Sequence, residues 1–417
     1  MHVRNAAAGA CRLAPLAAAL LIAIALPQTG AAQQPPAACA AEETGGTMTE
    51  GTYRVLERAI EDLNNDRFAD AEKRLLDIAG RSEGFERATI YQTLGFVYAQ
   101  QEQLGKALEA FEEALAVGAL QRKAQEDLMF NVGQIYIADE QFDKGIATLE
   151  RYLEVACEPP PATAHMMLAN AYAQASKFEE ALEQVMLAFE KADTPEESWL
   201  QLKLALHYEL KDYRKAAEAL VHLVAMSPDN AQYWKQLSGV LLEVEEQKDS
   251  LAVLALAERQ GMLDTERDVK SLASIYLMLE IPYKAGLLIE QRMEEGIVES
   301  TADNHQYLAD AWIAAHEWDK AEISLRRAAE LSDDGDAWKR LAQVLMEKED
   351  WSAARDALEQ AIKTGVSNPG ETQYLLGVAA FQAGDPRGAE AALRSAAQDP
   401  STREQAQQWL AHIAANR

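Results

Sequence analysis

Cysteine, aromatic side chains and positive charge are all scarce in this 417-residue sequence. Aromatic residues make up only 7%, β-branched residues are few, and Ala, Leu, Glu and Gln dominate. That is a helix-forming composition, and it points to an all-α protein before any pattern is read. Against 67 acidic residues stand 39 basic ones, a net charge of −28. A surface of that sign is repelled by phosphate backbones and anionic headgroups, which argues against a nucleic-acid partner. A basic protein segment suits it, although the same charge also serves plain solubility.

Long apolar runs are equally rare. The one that exists, Leu13 to Leu26, follows Arg4 and Arg12, ends at Pro27 and precedes Gly30-Ala31-Ala32. The pattern is that of an export signal over residues 1–32, cleaved before Gln33. Removing its two arginines leaves 37 basic against 67 acidic residues, or −30. Fourteen apolar residues are short for a bilayer span, and no second run follows, so the mature protein is expected in the periplasm without a membrane span. The alternative is a retained segment that anchors it to the membrane, facing the periplasm. Cys11 leaves with the signal, so Cys39 and Cys157 remain, an even number in an oxidising compartment. They form either a disulfide or two unrelated thiols. Pro36-Ala37-Ala38 before Cys39 lacks the Leu of a lipid-attachment site.

Residues 33–51 carry Pro, Gly and Thr without periodicity and read as a flexible leader. From Thr52 a repeat takes over, with unit starts at 52, 88, 126, 162, 197, 231, 266, 302, 335 and 370. Position 20 of the ten units holds Ala71, Ala107, Gly145, Ala181, Ala216, Ser250, Ala285, Ala321, Ala354 and Ala389. Position 24 is apolar throughout, from Leu75 and Phe111 to Leu358 and Leu393. Position 8 is small in nine units, with Leu204 the exception, and position 11 often holds a large ring, as at Tyr98, Tyr136, Tyr172, Tyr276 and Trp312. Two antiparallel helices approach closely only where facing side chains are small, and large residues then fill the space to the next pair. One pair cannot bury its apolar face alone, so the pairs must stack. The fold expected is an all-α solenoid, a right-handed superhelix of about ten antiparallel helix pairs over 52–400, closed by a capping helix at 401–417.

Departures from the columns carry their own expectations. Arg58 and Asp62 replace apolar residues in the first unit and suggest the polar outer face of a cap. In the fifth, Trp199, Leu202 and Leu206 fit if the turn is one residue longer. Ser401-Thr402-Arg403-Glu404 has the form of a capping box opening the last helix.

No catalytic constellation is visible. No two histidines lie three or four residues apart, so no helix offers a His pair to a metal, and His165 and His305 fall at packing position 4. Gly384-Asp385-Pro386-Arg387-Gly388 is a turn between helices, and Asp333-Asp334-Gly335-Asp336 lacks the alternating ligands and distal Glu of a calcium loop. Neither an enzyme, a cofactor nor a metal is expected.

The surface that such a solenoid offers is the groove lined by the first helix of each pair, at positions 2, 5, 9 and 12. These include Gln92, Phe96, Phe130, Gln134, Met166 and Asn170, then Lys235, Arg267, Lys270, Gln306, Asp310, Lys339, Gln343 and Tyr374. Amides can pair with the backbone of an extended peptide while rings take its side chains.

The columns are those of the tetratricopeptide repeat. Beyond them the chain resembles the periplasmic tetratricopeptide proteins associated with TonB–ExbB–ExbD systems. The likeness rests on Tyr233-Trp234 with Gln236-Leu237-Ser238-Gly239-Val240, Arg259-Gln260-Gly261, Ile281-Pro282-Tyr283-Lys284-Ala285, Leu331-Ser332-Asp333-Asp334-Gly335, Asn368-Pro369-Gly370 and Gln408-Trp409. The resemblance implies an auxiliary scaffold of TonB-dependent outer-membrane transport, with TonB or ExbB/ExbD-type inner-membrane proteins as partners. A second scaffold reading is the assembly or export of polysaccharide, pili or outer-membrane proteins. An enzyme or small-ligand binding protein is the reading from another class.

Overall fold

A computed structural model describes residues 46–415. These residues form 21 α-helices, and no strand occurs among them. The chain divides into two compact units, one ending at Met226 and one beginning at Ser227. The first holds α1 (Glu50–Asn64), α2 (Phe68–Ala79), α3 (Gly84–Gln100), α4 (Leu104–Val117), α5 (Arg122–Ala138), α6 (Phe142–Val155), α7 (Ala162–Gln174), α8 (Phe178–Lys191), α9 (Glu197–Glu209) and α10 (Tyr213–Met226). The second holds α11 (Ala231–Glu243), α12 (Gln247–Arg259), α13 (Glu266–Met278), α14 (Pro282–Glu294), α15 (Ala302–Ala314), α16 (Trp318–Leu331), α17 (Gly335–Glu347), α18 (Trp351–Thr364), α19 (Pro369–Gln382), α20 (Pro386–Ala396) and α21 (Arg403–Ala415). Odd-numbered helices up to α19 are the first, or A, helix of each pair; even-numbered ones are the B helix. The A helices α7, α9, α11, α13, α15 and α17 begin at the starts read from the columns, and α1, α3 and α5 begin two to four residues earlier.

Small side chains set the spacing inside each pair. At position 8 of the second pair, a Cβ on Gly95 would lie 2.3 Å from the Phe111 ring of the facing helix. In the tenth, a Cβ on Gly377 would meet Leu393 at 2.5 Å. Where both facing residues are serines, at Ser238 and Ser250, the two buried hydroxyls satisfy each other at 2.8 Å. An unpaired buried hydroxyl would be costly, so the pair keeps the close approach without penalty. In the fifth pair Trp199, Leu202 and Leu206 are buried, while Lys203 lies over the Phe189 ring at 5.3 Å.

Every A–B turn ends its helix in the left-handed region. The residues there are Asp66, Glu102, Glu140, Ser176 and Lys211 in the first unit, and Glu245, Glu280, His316, Glu349 and Gly384 in the second. The next N–H bonds back five residues, as from Gln103 to Tyr98 at 3.0 Å and Glu246 to Leu241 at 2.8 Å. This geometry favours glycine, and each other residue gives up about 1 kcal/mol to adopt it.

Three expectations need correction. Asp62 is not on a polar outer face: it is 4% exposed and held by the guanidinium groups of Arg67 (2.9 Å) and Arg74 (2.7 Å). Those two hydrogen bonds, Arg67 first, keep its carboxyl below the ordinary range. Arg58 is exposed. The leader does not run loose to residue 51, since Thr49 caps α1 by accepting from the Thr52 N–H at 3.4 Å, and Met48 packs on the core. At the other end the helix opens at Arg403, one residue later than a capping box needs. The Ser401 hydroxyl donates instead to Asp399 (2.7 Å) and that of Thr402 to the Ala396 carbonyl (2.7 Å). α21 still covers the last pair, burying Ala406 and Ile413 and setting Trp409 edge-on to Phe381. The segment expected to be an export signal, the leader up to residue 45 and Cys39 lie outside the described residues.

Candidate protein-interaction surface

The exposed line of the A-helix face is not the one expected. In the second unit the exposed A-helix residues include Gln232, Gly239 and Glu243, then Arg267, Ser271, Ser274 and Met278, then Asp303, Asp310 and Ala314. The spacing corresponds to positions 2, 6, 9 and 13. Position 5 turns off that line, and its lysines are captured by carboxylates of the next A helix or of their own. Lys235 reaches Asp268 at 2.6 Å, Lys270 pairs with Glu266 at 2.6 Å, and Lys339 contacts Glu371 at 3.1 Å and Asp336 at 3.6 Å. Asp310 is bound by Arg340. Lys235, Lys339 and Asp310 therefore lace neighbouring helices to each other, while Lys270 is held within its own helix. The sequence reading missed their partners because each sits in the following repeat, or a turn away on the same helix.

Arg267 and Gln343 are exposed and Gln306 is half-buried. Arg267 borders a shallow depression of about 550 Å³ with Glu266, Lys270, Ser271 and Ser274. The Ser274 hydroxyl meets the Tyr307 hydroxyl of the next A helix at 2.9 Å. Tyr374 accepts a hydrogen bond from the Trp409 indole N–H at 3.1 Å, so the last helix already occupies it.

In the first unit Gln92, Phe96, Phe130 and Gln134 are half-buried and Asn170 is exposed. Phe96 packs edge-on to Phe111 with centroids 5.1 Å apart, and Phe130 lies 5.3 Å from Tyr152. Met166 does not line a groove. It is 6% exposed, inside the core cluster with Leu149, Tyr172 and Trp199. Its neighbour Met167, at position 6, is half-buried and takes the outward place. Together with Thr89, Asn131, Thr163 and Gln174, these residues line the A-helix face from α3 to α7 with amides, hydroxyls and a few apolar groups, and exposed Asp127, paired with Lys123 at 2.9 Å, adds charge at position 2 of α5. A smaller depression of about 310 Å³ lies beside it, between Met48, Tyr53, Leu56, Glu57, Ile60, Thr89 and Thr93.

The histidines serve packing. His165 is buried and its Nδ1 meets the Gln184 side-chain oxygen at 2.9 Å, while half-buried His305 reaches the Ser300 hydroxyl at 2.8 Å through Nε2. His207 is buried with no hydrogen-bond partner on either ring nitrogen. Burial pushes its pKa, and that of His305, below the usual histidine value. Among the described residues no three His, Cys, Asp or Glu side chains gather as metal ligands, and no helix is long and apolar enough to cross a membrane.

No curated protein matches the chain significantly. Among solved structures it is similar to a tetratricopeptide repeat protein from Parabacteroides merdae, 14% identical over 72% of this chain and 100% of that one, with a TM-score of 0.38. It is also similar to the C-terminal part of a repeat protein from Cytophaga hutchinsonii, 13% identical over 66% of this chain and 95% of that one, TM-score 0.37. A third is YrrB, described as a tetratricopeptide-repeat protein with an unusual peptide-binding site, 19% identical over 46% of this chain and 98% of that one, TM-score 0.36. Profiles of the tetratricopeptide repeat match residues 88–117, 130–197 and 339–402. The chain is an all-α solenoid protein that carries tetratricopeptide repeats over those segments.

Proposed function

We propose that this protein is an exported interaction scaffold, an auxiliary component of TonB-dependent outer-membrane transport, that holds a basic, extended segment of a partner such as TonB or an ExbB/ExbD-type protein. Tetratricopeptide proteins are in general protein–protein interaction scaffolds. The observation that carries the charge preference lies in the A–B turns of each unit. Six of the nine non-glycine residues in the left-handed conformation there are acidic: Asp66, Glu102, Glu140, Glu245, Glu280 and Glu349. All six are exposed. Glycine would relieve the backbone at each of these positions, so the stability given up is unexplained by folding alone. Acidic turns within each unit that meet a basic segment explain it, because complementary charge speeds encounter and fixes partner choice. The amides and hydroxyls on the A-helix face from α3 to α7 complement it, since amides can pair with an extended main chain.

The export signal expected over residues 1–32 supports the compartment, and the resemblance supports the system. The experiment is crosslinking in cells followed by identification of the partner, repeated with Glu102, Glu140, Glu245, Glu280 and Glu349 changed to Lys. Capture of an inner-membrane TonB-system protein at low salt, lost at moderate salt and lost in the variant, is the expected result. Capture that survives both treatments would move the contact off the acidic turns. Recovery of pilus or polysaccharide export proteins instead would favour a scaffold for envelope assembly.

A further inference from the structure

The smaller depression, between α1 and α3, is lined differently from the rest of the A-helix face. On α1 its wall carries Tyr53, Glu57 and Ile60, spaced four and three residues apart and so on one side of the helix. Tyr53 is 57% exposed and Ile60 39%, and buried Leu56 lies between them. Thr89 and Thr93 line it from α3. Their hydroxyls donate back along that helix, to the Phe85 carbonyl at 2.9 Å and the Thr89 carbonyl at 2.8 Å, so neither proton needs an outside partner. The Glu57 carboxylate remains. Among the described residues no hydrogen bond or ion pair engages it, and no cation lines the depression. Arg54, on the same helix, is held by Glu50. Asp127, Asp310 and Glu371 on later A helices each meet a cation of the fold, at Lys123, Arg340 and Lys339, and Glu57 does not.

An apolar hollow of about 310 Å³ with one unmatched carboxylate suits a side chain that is aliphatic along its stem and cationic at its tip. We propose that this depression seats one arginine of the partner's basic segment, with its methylenes on Leu56 and Ile60 and its guanidinium on Glu57 and the Tyr53 ring. Arginine suits the place better than lysine, because a planar guanidinium bonds a carboxylate through two N–H groups and lies flat on an aromatic face. A leucine would gain the same apolar contact and leave the carboxylate unmatched. The inference rests on the basic-segment reading above, and adds to it the kind of residue recognised and the place that recognises it.

The test uses the full chain and a capped pentapeptide with arginine at its centre, flanked by alanine and glycine, beside the same peptide with lysine or leucine there. Binding is followed by the side-chain methyl resonance of Ile60, identified through Ile60→Val. The arginine peptide should shift it saturably and bind about tenfold more tightly than the leucine peptide, with lysine between them, as a charged hydrogen bond allows. Glu57→Gln should abolish that preference, and Tyr53→Ala should weaken arginine binding about threefold. Both residues are exposed, so neither change disturbs the core. An Ile60 resonance that stays in place, a leucine peptide that binds as tightly as arginine, or a preference that survives Glu57→Gln would overturn the proposal. So would a dimer in sedimentation that Tyr53→Ala dissolves, which would give the depression to a second copy. Crosslinking in cells with the acidic turns reversed is scored separately: failure to capture a basic partner there defeats the scaffold reading, and failure of the arginine peptide here defeats the depression alone.

Discussion

The two units pack the same columns but fasten them differently. In the unit ending at Met226, ring hydroxyls at position 11 reach back to the preceding B helix: Tyr98 to Glu72, Tyr136 to Glu112 and Tyr172 to Glu150. Burial and the adjacent carboxylate push the Tyr98 hydroxyl up to about 12 and raise the other two as well. Lys106 and Lys144 lie over the Tyr98 and Tyr136 rings at 5.2 Å. In the unit beginning at Ser227, charge does this work on the A-helix face, through Lys235–Asp268, Lys339–Glu371 and Arg340–Asp310. Position 11 there holds Trp312, whose indole N–H has no partner and whose ring sits under Lys320 at 4.1 Å. A face whose charges already neutralise each other gives a charged partner little to hold. Under the proposed function, an extended segment is expected on the tyrosine-fastened unit.

If the columns are equivalent, truncating them should cost the same in both units. Leu149→Ala in the first and Leu325→Ala in the second, both buried at position 24, should each destabilise their unit by about 2–5 kcal/mol. Hydrogen exchange resolved by helix measures this, since repeat arrays need not unfold in one step. Loss of protection confined to one variant would show that the two cores are not built alike.

Acid should separate the units next. His207 is buried and unpartnered, and its pKa lies below the ordinary value of about 6.5. The unfolded chain therefore binds a proton at a pH where the folded one refuses it, so stability falls as pH drops below about 6.5 and stops falling once the folded pKa is passed. His305 shifts the same way but is half-buried and keeps its Ser300 bond, so the second unit should respond less. Carboxylates such as Asp62 and Glu266 titrate below the usual acid range and act only at much lower pH. Thermal melts of His207→Phe across pH 7 to 5 check this: the variant should lose the acid sensitivity of the first unit, and an unchanged profile would assign it elsewhere.

What was legible in the sequence is what recurs within it. Ala71 to Ala389 declared the close approach of each pair because the same small residue must return at every turn of the stack. The A-helix face was read one position out, at 5 instead of 6, because the angle between those positions is settled by what the neighbouring helix presents. Lys235 turns inward only because Asp268 is there to meet it. Asp62 was misread for the same reason, since Arg74, which helps bury it, comes from the next helix. His207 occupies a ring position, and no local signal distinguishes a buried unpartnered imidazole from a satisfied one.

The two kinds of fastening should also differ in their response to salt, and this is the smallest effect and the sharpest discriminator. Tyr136→Phe removes one neutral donor from Glu112 and should cost the first unit about 1 kcal/mol. Lys339→Ala removes a half-buried ammonium from Glu371 and Asp336, whose carboxylates stay partly in water, and should cost the second unit about 0.5 kcal/mol. At 1 M salt the Debye length falls to about 3 Å, so the lysine effect should vanish while the tyrosine effect persists. Chemical denaturation of both variants at low and high salt reads the difference. A lysine effect that survives high salt would mean that its four-carbon stem, and not its charge, holds the A helices together, and the second unit's face would then be no more occupied electrostatically than the first.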